Sequence, residues 1–72
     1  MKGLLLNALE AGERLELIYM SDKNDLSQRV IKVLAVLKDE VQAYCYTRNQ
    51  FRTFKMSNIL SIGRLRNHKM GA

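Results

Sequence analysis

The hydrophobic period of the chain changes within residues 12–20, which read GERLELIYM. Before Gly12, apolar residues recur at the i, i+3, i+4 spacing of a helix. After Gly12, they alternate with a period of two, which is typical of a half-buried strand. Glycine accepts the left-handed backbone conformation that ends many helices. The stretch therefore predicts a short helix over residues 2–11 and a strand over residues 14–20.

Four further strands are predicted from alternating or β-branched stretches separated by polar turns, one of which places Asn49 in a left-handed position. These strands are residues 28–37, 41–47, 51–56 and 59–65. One helix and five short strands predict a mainly β domain over residues 1–65, folded as a small five-stranded antiparallel barrel, because closure removes exposed strand edges. We expect residues 66–72 to form a loose basic tail. The predicted core contains Leu15, Leu17, Val33, Val41, Ala43, Cys45, Ile59 and Ile62.

Length and composition limit the function classes. A chain of 72 residues forms one domain with a small core, so we expect a homo-oligomer, with a dimer favoured over a ring. The single cysteine, Cys45, cannot form an internal disulfide, and a lone thiol favours the cytoplasm. No apolar stretch is long enough to cross a membrane. The only histidine, His68, lies in the predicted tail, and no glycine-rich phosphate loop is present. We therefore expect neither an enzyme nor a bound cofactor or metal.

The charge is distributed unevenly along the chain. The net charge is +5, and residues 41–72 contain six of the 12 lysines and arginines but none of the seven acidic residues. This half of the chain has no carboxylates of its own to pair with its cations. The asymmetry predicts an anionic partner, either a nucleic acid or a phosphorylated small molecule. The alternative is a solvated basic face that only keeps the domain soluble.

Two arginines are candidates for binding an anion. Arg29 and Arg52 each stand near the start of a predicted strand and are followed by apolar residues. An arginine in such surroundings is partly desolvated, and its planar fork suits a phosphate or carboxylate. The alternative is a structural salt bridge to a nearby carboxylate such as Asp25 or Glu16. The spacing alone does not decide between the two interpretations.

Aromatic residues lie close to these cations. Tyr44 and Tyr46 alternate with the predicted core residues of their strand, and we expect Phe54 to lie beside them on the adjoining strand. Near Arg48 and Arg52, these rings could stack on nucleobases, as they do in proteins that bind single strands. Alternatively, they form a second apolar layer beneath the N-terminal helix.

Several segments together resemble the WYL-domain family of bacterial regulators. They are ALEAG at residues 8–12, SQRV at residues 27–30, AYC at residues 43–45 and FRTFKMSNI at residues 51–59. The resemblance covers roughly residues 4–62. In that family the domain usually follows a winged-helix DNA-binding segment, which these 72 residues do not include.

The resemblance implies an Sm-like (SH3-type) barrel and a ligand-sensing module that takes part in transcription regulation. It implies that an anionic ligand, such as a single-stranded nucleic acid or a nucleotide, binds a basic surface that contains aromatic residues. The tripeptide that names the family falls on Asp39-Glu40-Val41, and Asn58 stands where the family has arginine. The alternative function is a protein-interaction or oligomerisation module with no ligand of its own. The expected ligand-binding residues are Arg29, Arg52, Tyr44, Tyr19, Arg48 and Lys55.

Overall fold

The computed structural model describes residues 2–65 and shows one helix followed by five antiparallel strands. The predicted mainly β fold with one N-terminal helix is confirmed. The predicted basic tail at 66–72, with Arg66, His68 and Lys69, lies outside the described residues. The elements are helix α1 (Lys2–Ala11) and strands β1 (Arg14–Met20), β2 (Leu26–Val36), β3 (Glu40–Cys45), β4 (Gln50–Lys55) and β5 (Ile59–Arg64).

Helix α1 ends because Gly12 adopts a left-handed backbone conformation, with φ of 68°. The N–H of Glu13 donates to the carbonyl oxygen of Ala8 over 3.0 Å, which satisfies one of the last helical carbonyls. The helix packs against β2 and buries Leu5 and Ala8. No helix within residues 2–65 is long and apolar enough to cross a membrane.

The five strands form one antiparallel sheet in the order β4-β3-β2-β1-β5. Bulges in the β1–β5 and β2–β3 pairings bend the sheet. Strands β4 and β5 are its two edges, and no ladder joins them within the described residues. A single 3₁₀ turn, Met56–Asn58, connects the two edges. The sheet is therefore open, and the predicted closure into a barrel is not confirmed.

The inner face of the sheet, defined as the face that covers the core, is built by alternating residues of all five strands. Seven of the eight predicted core residues are buried, and Ile62 is partly buried against them. Phe54 is also buried in this core, although we expected it beside Tyr44 and Tyr46. The predicted core also lacked Tyr19 and Ile31, which the structure buries.

Two strand boundaries differ from the prediction by two residues, and the other differences are of one residue. β2 begins at Leu26, two residues early, because Leu26 pairs with Met20 at the end of β1. β3 ends at Cys45, and residues 46–49 form the turn into β4. In that turn Asn49 has φ of 54°, the left-handed conformation that the sequence predicted.

Candidate functional site

Two arginines and one phenylalanine meet on the inner face of the sheet. Arg29 on β2 pairs with Leu17, and Arg52 on β4 pairs with Ala43, so strand alternation directs both arginines towards the core side. Each guanidinium carbon lies 5.9 Å from the centroid of the Phe54 ring. A cation within about 6 Å of a ring is attracted by the ring's quadrupole. We call Arg29, Arg52 and Phe54 the arginine site.

Arg29 is a buried cation whose side-chain partners are neutral. Its side chain is only 6% exposed, Nε donates to the Ser27 hydroxyl over 3.1 Å, and Nη1 lies 3.9 Å from the Cys45 sulfur. A guanidinium carries five N–H donors and a permanent charge. Burial of a charge costs several kcal/mol unless an opposite charge is nearby. The local structure thus holds a desolvated positive charge that an anion would stabilise.

Arg52 is half-buried, and no hydrogen bond or ion pair engages its guanidinium within residues 2–65. The salt bridges in that range are Lys55–Asp22 and Arg64–Glu13. The alternative prediction, a salt bridge from Arg29 and Arg52 to nearby carboxylates such as Asp25 or Glu16, is therefore wrong for the described residues. Glu16 instead accepts a hydrogen bond from the Gln28 amide, because both point to the outer face of the sheet.

Tyr19 is the third predicted residue at this place, and its ring packs against Phe54. The Tyr19 and Phe54 rings meet edge to face, with centroids 4.9 Å apart. The Tyr19 hydroxyl accepts a hydrogen bond from the N–H of Lys55 over 3.4 Å. Tyr19 therefore ties β1 to β4 and fixes the position of Phe54.

The other three predicted residues lie elsewhere. Tyr44 is on the outer face, Arg48 is exposed in the β3–β4 turn, and the Lys55 ammonium pairs with Asp22 over 3.5 Å. The amide of Asn58 also donates to Asp22, over 3.2 Å. The six predicted residues thus do not form one surface: Arg29, Arg52 and Tyr19 come together, and the rest are dispersed.

The prediction that Phe54 lies beside Tyr44 and Tyr46 is wrong. Tyr44 does contact a ring of β4, but that ring belongs to Phe51, at a centroid distance of 5.0 Å. Phe54 lies three residues further along the strand and hence on the opposite face. Both faces of β4 carry an aromatic residue, so the hydrophobic pattern did not show which one enters the core. The two-residue spacing of Arg52 and Phe54 was the available signal that they share a face.

The chemistry that this arrangement supports is binding. A guanidinium can donate two parallel hydrogen bonds to the oxygens of a phosphate or carboxylate, and Arg29 and Arg52 lie on the same face of the sheet. Ser27 and Cys45, which position Arg29, were not predicted as part of the site. Within the described part of the chain, no group of three or more histidine, cysteine or acidic side chains is placed to hold a metal ion.

Comparison with known proteins agrees with this fold. The model of the WYL domain family matches residues 2–63. The solved structure of proteasome accessory factor B/C (PafBC) of Arthrobacter aurescens is similar, with a TM-score of 0.78 and 22% sequence identity. The match covers 92% of this chain but only 11% of that one, so this chain spans about a tenth of that structure. No curated protein matches the sequence significantly. Since the family model covers most of the chain, the protein belongs to the WYL domain family.

Proposed function

We propose that this WYL domain is a non-catalytic regulatory module that binds an anionic ligand, a nucleic acid or a nucleotide, at the arginine site. The observation that carries the proposal is the burial of Arg29 beside a hydroxyl and a thiol, with no carboxylate partner among residues 2–65. A fold retains an uncompensated buried charge at a cost in stability. Binding of an anionic ligand would supply the missing negative charge and offset that cost.

Further support comes from the family and from the similar structure. WYL domains occur in bacterial regulators, and the similar protein is named as an accessory factor. The proposal also includes an Sm-like (SH3-type) barrel, which is supported by the short 3₁₀ turn between the edge strands and by the burial of Phe54 and Ile59 in one core. We place the domain in the cytoplasm.

The proposed anion is a phosphate group. Arg29 is buried and Arg52 is half-buried, and each guanidinium carbon lies 5.9 Å from the centroid of the Phe54 ring. A hydrogen bond to a charged group contributes about 1.5–3 kcal/mol. Each neutralised phosphate also releases condensed counterions, so affinity for a polyanion falls as salt is raised.

The test is fluorescence anisotropy with a labelled single-stranded oligothymidylate at two salt concentrations. We expect salt-sensitive binding by the wild type. Arg52→Ala should weaken it by roughly 1.5–3 kcal/mol, because a charged hydrogen-bond donor is lost. Arg29→Met should have a similar effect while filling the space of the buried side chain.

The matched control is Lys23→Ala, which removes one exposed positive charge from the β1–β2 turn. It should change affinity far less than Arg52→Ala, and circular dichroism should show that all variants are folded. Absence of salt-sensitive binding in the micromolar range would refute the proposal. That result would favour the alternative, a protein-interaction module that acts as a homodimer, whose oligomeric state light scattering would measure.

A further inference from the structure

One end of the Arg29 guanidinium is open to a ligand. Nε donates to Ser27 and Nη1 lies 3.9 Å from the Cys45 sulfur, whereas Nη2 has no hydrogen-bond partner within residues 2–65. In the same range, no buried side-chain nitrogen or oxygen lacks a partner. Nη2 is therefore not fully buried, and it belongs to the 6% of Arg29 that is exposed. A ligand can reach the charge at Nη2, while the rest of the side chain is covered.

The polar groups at this place have hydrogen bonds to donate. A guanidinium has five N–H donors and no acceptor. Ser27 and Cys45 engage two of the five N–H groups of Arg29, and the other three have no partner within residues 2–65. The Ser27 hydroxyl accepts from Nε and donates to no group in the described range, so its proton is available too. Such a site favours a ligand that only accepts hydrogen bonds.

The site also holds two positive charges that lack carboxylate partners in the described part of the chain. The salt bridges within residues 2–65 involve neither Arg29 nor Arg52. A phosphomonoester carries a charge of about −1.5 to −2 at pH 7 and has three acceptor oxygens. An internal phosphodiester of a nucleic acid carries a single negative charge and has only two free oxygens.

We propose that the arginine site selects a terminal phosphate, the phosphomonoester of a nucleotide, over an internal phosphodiester. This inference rests on the proposed function and names the class of its ligand. A terminal phosphate has one ester oxygen, so it can present three free oxygens to the open end of Arg29 while the nucleoside stays outside. Its second negative charge pairs with Arg52.

The burial of Arg29 disfavours the phosphodiester. An internal phosphate carries an ester group on two sides, and both groups need room beside the guanidinium. Most of Arg29 is covered by protein, so a phosphate that enters end-on meets fewer obstacles than a chain that passes over the site. A monoanion also leaves one of the two positive charges without a partner.

The test compares three probes that share one nucleoside: thymidine 5′-monophosphate, its 5′-methyl ester and thymidine. Isothermal titration calorimetry at constant ionic strength measures the affinity of each probe. The monophosphate should bind at least about tenfold more tightly than the methyl ester, because the ester lacks the second negative charge and one acceptor oxygen. Thymidine, which has no phosphate, should not bind.

Arg52→Ala should reduce this preference to less than about threefold, because it removes the cation that pairs with the second negative charge. The matched control is Lys23→Ala, which removes an exposed cation from the β1–β2 turn and should leave the preference unchanged. Circular dichroism should show that both variants are folded.

The outcomes separate this inference from the proposed function. If the monophosphate and its methyl ester bind equally and Arg52→Ala weakens both, the inference is overturned and the proposed function stands. The same holds if neither binds while Arg52→Ala still weakens binding of the oligothymidylate. If the monophosphate is preferred but neither Arg52→Ala nor Arg29→Met changes its affinity, its site lies elsewhere and the inference fails. Absence of binding by all these probes, including the oligothymidylate, would contradict both.

Discussion

Phe54 and Phe51 lie three residues apart on β4, yet Phe54 is fully buried and Phe51 is 73% exposed. Two guanidinium carbons lie 5.9 Å from the Phe54 ring centroid on the inner face, and Phe51 contacts Tyr44 on the outer face. Both faces therefore combine aromatic rings with cations. They differ in how far these groups are removed from water.

That difference in hydration determines what each cation contributes. On the inner face, Arg29 is desolvated and its charge is strong enough to organise an anion. On the outer face, Arg14 is exposed, and water screens its interaction with Tyr46. The proposed function therefore places the anion on the inner face, where the positive charge is desolvated.

The two phenylalanines should give the largest contrast in stability. Phe54→Ala should destabilise the domain by about 3–5 kcal/mol, because it leaves a cavity in the core. Domains have only about 5–15 kcal/mol of stability in total, so much of this variant should be unfolded. Phe51→Ala should change stability by less than about 0.5 kcal/mol. Urea denaturation followed by circular dichroism measures both values, and equal losses would contradict the assignment of faces.

Arg29→Met and Arg14→Met should differ in their effect on the free energy of unfolding. Arg29→Met should raise the free energy of unfolding by about 1 kcal/mol, because an uncompensated buried charge is replaced by an apolar side chain of similar length. Arg14→Met should leave it nearly unchanged, since an exposed cation–π contact contributes about 0.5–1 kcal/mol. The measurement is the urea midpoint without ligand. A loss of more than 2 kcal/mol in Arg29→Met would make Arg29 a structural residue.

Tyr19→Phe and Tyr46→Phe should give the smallest difference in stability. Tyr19→Phe removes the acceptor of the Lys55 N–H and should cost about 1 kcal/mol. Tyr46→Phe removes a hydroxyl that makes no hydrogen bond within residues 2–65, and its stability should match the wild type. Thermal melts at equal protein concentration compare the two variants. A larger loss in Tyr46→Phe would show that the outer face contributes more to the fold than its exposure indicates.

Local signals in the sequence predicted most of the fold. The change of period at Gly12 and the left-handed Asn49 both depend on neighbouring residues, and the structure contains both. The assignment of Phe54 failed because a strand with aromatic residues on both faces has no unique orientation until its partner strand is known. Barrel closure is a non-local property of β4 and β5, which no local pattern specifies.

Part of the candidate site was also predictable from the sequence. Arg29 and Arg52 stood out because apolar residues follow them, and both lie on the inner face beside Phe54. The sulfur of Cys45 reaches Arg29 through the β2–β3 register, whereas Ser27 lies two residues before Arg29 on the same strand and hence on the same face. Sequence spacing did not reveal the register, so Cys45 could not be predicted as a partner of Arg29, although the spacing of Ser27 was an available signal.

The central claim is that Arg29 and Arg52 bind a phosphate. Its most direct test is nuclear magnetic resonance of the arginine Nε–H groups during titration with an abasic oligonucleotide, which carries phosphates but no bases. The signals of Arg29 and Arg52, assigned from Arg29→Met and Arg52→Met, should shift in proportion to ligand and return when salt is added. The Arg14 signal should stay in place, because Arg14 lies on the face of the sheet opposite the arginine site. If the signals of Arg29 and Arg52 do not move while the probe binds, the arginine site does not hold the phosphate and the account is wrong.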